Sequence, residues 1–343
     1  MPGTPVTSMT ATPARTGAAA ERRPRVAAID ILKGVAIVAM VAYHFSWDLS
    51  YHQMIAADVG RDFGWRLFAR SIAGTFIFLV GVNLVMATRS GFRPRPYLRR
   101  LGILLAAALL VTGFTYYAFG AEGFVFFGIL HLILVASVLA LPFLWAPAWV
   151  ALVAAVFFLA GPHFLASPVF DGWPFYWLGL SPNPPVTYDY VPIFPWFGAA
   201  LLGVFAGKLL VSNPGLGLWR WQPAGWFWRG LTVLGRWSLV IYLLHQAILF
   251  PLVGWVAPLI GPSHTALMRQ FVALSETRCA VAGYGAEPCA GFAACVSAEL
   301  DSDYGFLLDY WRGSLSEADN RRFSDVESDC LARYLLPDPD GAI

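Results

Sequence analysis

The sequence predicts an all-α, polytopic transmembrane helical bundle with about seven spans, its N-terminus inside and its C-terminus outside. Three observations carry this. The 343 residues are 58% hydrophobic and only 13% charged, whereas a soluble domain carries about 25% charged residues. Apolar runs of the length a bilayer demands recur along the chain. The arginines gather in short loops at one end of those runs. A net charge of +2 gives no pointer to a nucleic-acid partner, so none is expected and the lipid bilayer is the first partner.

The spans follow in order. Residues 1–25 are rich in Pro, Thr, Ala and Arg and are expected to form a disordered cytoplasmic tail. The apolar run behind them holds Asp30 and Lys33 and no small-residue cleavage site, so it reads as a retained helix. The candidate spans are Ala27 to Ser46, Phe68 to Thr88, Leu101 to Phe119, Phe124 to Leu144, Ala148 to Phe164, Val191 to Val211 and Leu231 to Pro258. Together they make a membrane unit over residues 26–260. Arg89, Arg93, Arg95, Arg99 and Arg100 lie between the second and third spans, and Lys208, Arg220 and Arg229 between the sixth and seventh. Both loops belong inside.

This orientation puts residues 261–343 outside, in an extracytoplasmic tail. All four cysteines, Cys279, Cys289, Cys295 and Cys330, fall in it. Disulfides persist in such a compartment, and four cysteines allow three pairings. Their spacing fits no zinc pattern, so no metal is expected. Ser316 with Asp319 reads as a helix cap, followed by Phe323, Val326, Cys330 and Tyr334 at helical spacing. The tail is thus expected to be a small disulfide-stapled appendage of about two helices.

Functional expectations start from the first span. Asp30, Lys33, His44 and Asp48 share a sector of roughly 60–70° on an otherwise apolar helix. Ionisable groups inside a bilayer are costly and mark function by default. His131 and His245 lie in later spans, at a depth like that of His44. Ser238, Tyr242 and His245 share a face, with Gln246 alongside. In the second span Arg70, Gly74 and Gly81 share another, which suits close helix packing, while Asn83 is a candidate for an interhelical hydrogen bond. The inner-loop arginines serve positive-inside bias or hold a polyanionic ligand. The loop after Pro168 is dense in aromatics and carries Asp171 and Asp189, which suits an interfacial belt or a sugar or amine ligand. Phosphate loops, nucleophile elbows and HExxH motifs are absent.

Four blocks, taken together, resemble a known family. They are Asp30-Ile-Leu-Lys33-Gly34 with Met40 and His44; Gly74 to Gly81; Gly128-Ile-Leu-His131; and Gly235 to Gln246. The ordered set, over roughly Arg25 to Pro258, is similar to the bacterial branch of the heparan-alpha-glucosaminide N-acetyltransferase catalytic-domain family. Lys33 stands where that family has arginine, which keeps the charge and loses the bidentate fork. The resemblance implies an inner-membrane acyltransferase that moves an acetyl or other acyl group from cytosolic acyl-CoA to an amino sugar or other envelope glycan outside. Under it His44 or His52 is the general base, with Asp48, His131 and His245 as catalytic neighbours. Lys33, Arg89, Arg93, Arg95, Arg99 and Arg100 would hold the acyl-CoA, and Tyr242, Gln246 and Asp171 the acceptor. Direct transfer and an acetyl-histidine route stay open, as does a homo-oligomer. The alternatives are a transporter or flippase for an envelope precursor, and a non-catalytic scaffold.

Overall fold

The computed structural model describes residues 26–121, 123–221, 223–300 and 303–335. The expected disordered N-terminus, residues 1–25, lies outside the described residues. Within them, all regular structure is helical. Five helices are long and apolar enough to cross a membrane: α1 (Ala27–Tyr51), α2 (Phe63–Thr88), α3 (Pro94–Phe119), α8 (Ile193–Ser212) and α10 (Ser238–Ile260). Between α3 and α8 come α4 (Ile129–Leu139), α5 (Leu141–Trp145), α6 (Ala148–Ala160) and α7 (Pro162–Leu165); α9 (Trp226–Arg236) precedes α10.

Three expected spans are corrected. The fourth is not one helix over 124–144: α4 starts at Ile129 and stops at Leu139, and α5 opens with Pro142 in its first turn. The fifth ends at Ala160, where Gly161 and Pro162 interrupt it. A proline removes a helical N–H and clashes with the preceding turn. The seventh begins at Ser238 rather than Leu231, because the chain turns at Trp237 and leaves α9 as a separate helix. The first helix is also longer than expected, running to Tyr51.

Close approach of backbones sets the packing. A Cβ at Gly81 of α2 would collide with the Ala200 carbonyl of α8, and one at Gly203 of α8 with the Phe78 carbonyl. The α1–α9 crossing is built the same way, with Gly34 against Leu231 and Gly235 against Asp30. Small residues are how helices approach in a membrane, where lipid is as apolar as the side chains. Around the first crossing Ile77, Leu84, Leu132, Phe197, Leu201 and Val204 form the main core. The outward face of α1 (Leu32, Val35, Val38, Phe45) is exposed, as suits a helix with lipid on one side.

Beyond α10, the described part of the tail holds four helices rather than two: α11 (His264–Val281), α12 (Ala286–Leu300), α13 (Tyr304–Arg312) and α14 (Glu317–Tyr334). Leu267, Phe271, Val296, Leu300, Phe306 and Leu307 make their own core. Cys279 pairs with Cys289 and Cys295 with Cys330, stapling α12 to α11 and to α14. Ser316 caps α14 by accepting from the Asp319 N–H at 3.1 Å, as its sequence suggests. The tail touches the α1–α2 loop, where Arg269 donates to Asp62. The arginine-rich α2–α3 loop lies at the other end of α2, roughly 39 Å away for a 26-residue helix.

Candidate active site

The polar stripe of α1 is tied down at its lower end. Asp30 meets Lys33 at 3.8 Å and Arg236 of α9 at 3.5 Å. Lys33 Nζ also donates to Asn83 Oδ1 of α2 at 3.2 Å, the interhelical bond expected of that asparagine. These contacts fix α1 against both neighbours with its charged end beside an open space.

That space is a cavity of about 900 Å³ among α1, α2, α3, α4 and α10. Lys33, Arg95, Arg99 and Arg100 line it together with Leu79, Ile103, Leu104 and Ile133, and Ser238 and Tyr242 line it on α10. One element therefore supplies cations at its start and apolar wall further in: Arg95 to Leu104 of α3 covers roughly 14 Å. Tyr242 packs against the main core and the clusters under α3 and α1 alike, so its position is set from several sides.

One turn above Tyr242 the character changes. His245 Nδ1 meets the Tyr242 carbonyl at 2.7 Å, and its ring lies edge-on to that of His44, 4.8 Å between centroids. Because α1 continues to Tyr51, His44, Asp48 and His52 follow each other at four-residue spacing on one face. Asp48 is fully buried and accepts from Gln246 Nε2 at 3.0 Å. His52 caps α1 and lies over Gly254, where a Cβ would come within 3.4 Å of its Nε2. Asp48 Oδ2, His52 Nε2, His245 Nε2 and Gln246 Oε1 are buried without a hydrogen-bond partner among the described residues. Four such atoms on two facing helices make this the part of the bundle best prepared to hold a polar group. Trp47, Tyr51, Phe250 and Tyr188 pack their rings together at the His52 end.

Several expected residues stand apart. His131 meets Thr112 Oγ1 at 3.2 Å, and its Nδ1 accepts from the Gly128 N–H at 3.3 Å, which anchors the start of α4. Arg89 lies over Trp219 and lines a separate pocket of about 260 Å³ with Lys208. Arg93 precedes α3 and is not among the residues lining the large cavity. Asp171 hydrogen-bonds Ser181 and Asn183, which shape its own loop and hold its carboxyl below the usual range.

Sequence reasoning gave Asp189 to the aromatic loop after Pro168; the structure instead sets it against the start of α4. Its Oδ2 accepts from the Ile129 N–H at 2.9 Å across 60 residues, and its charge couples to Tyr242. Desolvation pushes its pKa up to about 6, against the pull of the Ile129 bond. The folded state therefore holds this proton more tightly than the unfolded state does. The stabilisation is fully present below the ordinary value near 3.8 and is lost as pH rises through about 6. In Asp189→Asn the apparent melting temperature should lose that part of its decline between about pH 4 and pH 6. An unchanged slope would contradict the assignment.

The family model described as heparan-alpha-glucosaminide N-acetyltransferase, catalytic, matches residues 25–247. The match takes in the α1 stripe, the large cavity and the α10 segment up to Gln246, and it leaves out the tail. No curated protein and no solved structure matches the chain.

Proposed function

The chain belongs to the heparan-alpha-glucosaminide N-acetyltransferase catalytic-domain family, and from that premise we propose that it is an integral-membrane acyltransferase. Its donor is acetyl-CoA or another acyl-CoA. Its acceptor is an amino sugar or other envelope glycan carrying a free amine or hydroxyl. The observation that carries this is the cavity: cations at one end, Tyr242 at the other, and the His44–His245 pair one turn beyond.

In this reading Arg95, Arg99, Arg100 and Lys33 hold the phosphates, for which guanidinium forks are suited. The apolar walls of α3 and α4 guide the acyl end toward Tyr242. His44 takes the proton from the acceptor as its nitrogen or oxygen attacks the thioester carbonyl. The C–S bond breaks, and the departing thiolate receives that proton. His245 keeps the His44 ring in place, and Asp48 with Gln246 offers polar anchors for the acceptor. We place the arginine loop on the cytoplasmic side and the tail outside; the two tail disulfides support this orientation. The bacterial branch, and the inner membrane with it, rests on the motif blocks.

Acyl-CoA binding tests the reading. Purified protein should be stabilised by acetyl-CoA, and Arg99→Ala/Arg100→Ala should bind at least about a hundredfold more weakly, since charge-assisted hydrogen bonds contribute about 1.5–3 kcal/mol each. Wild-type protein with no acyl-CoA-dependent thermal shift would remove the donor site and leave the transporter reading.

A further inference from the structure

The tail lies outside the family match, yet it grips the segment that follows the site. His52 ends α1, and the next residue, Gln53, has a φ of +57°. Among the described residues it is the one non-glycine with a positive φ. A side chain in that left-handed region costs roughly 1 kcal/mol and persists where the surroundings hold it. Here the surroundings are the tail. The Gln53 carbonyl accepts from the Ser263 N–H at 2.8 Å, and its side-chain amide donates to Gln270 Oε1 at 2.5 Å. Beside Gln270 on α11, Arg269 donates to the Ala56 carbonyl at 2.6 Å and to Asp62 Oδ1 at 2.5 Å. Between these anchors Val59 is completely buried. From the last turn of α1, Ser50 Oγ donates to the Ala57 carbonyl of the loop at 2.6 Å, so force on the loop reaches that turn. That turn carries Asp48 and His52.

We infer that the C-terminal appendage is a clamp, in which Arg269, Gln270 and Gln53 are positioning residues that hold the Asp48–His52 turn at the outer mouth of the site. The two disulfides and the separate tail core make α11 a rigid jaw rather than a loose arm. Binding geometry at such a site tolerates little displacement. The consequence for catalysis rests on the acyltransferase reading; the clamp itself does not.

Hydrogen exchange on the full chain in detergent separates the two. In Arg269→Ala, amide exchange over residues 50–62 should rise about tenfold or more while α12–α14 stay protected. Arg269→Lys should restore part of the protection, and Gln53→Gly, which accepts the left-handed turn without strain, should perturb it less than Arg269→Ala. Unchanged exchange over residues 50–62 in a folded Arg269→Ala protein would overturn the clamp. In the transfer assay, Arg269→Ala should lower kcat and move the pH–rate profile with KM for acetyl-CoA unchanged. Equal kcat and an unmoved profile, with the loop loosened, would overturn the positioning role. If wild-type protein transfers no acyl group, the exchange result still decides the clamp, and it is the proposed function that fails.

Discussion

His44→Ala should lower acyl transfer by about 10²- to 10⁴-fold, the range for losing a general base, with acyl-CoA affinity close to wild type. The affinity should survive because His44 is absent from the cavity wall, which the cations and the α3 and α4 side chains form. His52→Ala is the necessary companion. His52 shares the face of His44 and Asp48, eight residues along α1, and lies against Gly254 and Phe250. If the proton is taken at His44, His52→Ala should show the smaller loss, expressed in acceptor KM more than in kcat. A larger kcat loss for His52→Ala would move the base one layer outward. His245→Ala should fall between, since its ring lies against that of His44. Single-turnover transfer rates with saturating acetyl-CoA provide the comparison.

Gly81→Ala is expected to destabilise the bundle by about 1–3 kcal/mol or more, or to prevent recovery of monodisperse protein. A single added methyl there collides with the Ala200 carbonyl and comes within 2.6 Å of the Val204 nitrogen. Both are backbone atoms of a packed helix, so α2 and α8 must separate, and the contacts of Ile77, Leu84, Phe197 and Leu201 loosen with them. Gly74→Ala, seven residues earlier on α2, provides the control. Its nearest heavy atom is the Trp196 ring at 3.8 Å, an ordinary contact, and alanine is the better helix former by about 1 kcal/mol. It should be neutral or slightly stabilising in the same thermal assay. Equal effects at the two positions would mean that the crossing at Gly81 is looser than it stands here.

The contrast between these glycines also shows what the chain discloses by itself. Gly74 and Gly81 sit on one helical face and carry the same small-residue signal, yet the crossing partner, Gly203, lies over a hundred residues away and selects only one of them. The stripe from Asp30 to Asp48 was legible because helical geometry alone puts those residues together. Its extension to His52 was not, since Ser50 and His52 look like loop residues to a count of apolar positions. In the structure α1 runs on to Tyr51, His52 caps it, and Asp48 accepts from Gln246 of α10. The pairing of His44 with His245 was visible only as a shared depth. Asp189 was hidden for the same reason as Gly203: its partner is the Ile129 N–H, 60 residues distant. Pro142 and Pro162 stood in plain view, but a bilayer-length window averages over them and merges short helices into spans. In the tail, periodicity found α14 and its Ser316 cap, while α13, nine residues long, is too short to announce itself.

Sided transfer in proteoliposomes tests the central claim most directly. Acetyl-labelled CoA would be supplied only on the face bearing the arginine loop, and a glucosamine-type acceptor only on the face bearing the tail, with orientation fixed by a protease site in each. The account predicts labelled acceptor that depends on the protein, falls with Arg99→Ala/Arg100→Ala through donor binding, and falls with His44→Ala at saturating donor. Acceptor that crosses the membrane unlabelled, with the acetyl-CoA pool intact, would contradict it and identify the polar stripe as a passage instead of a reaction site.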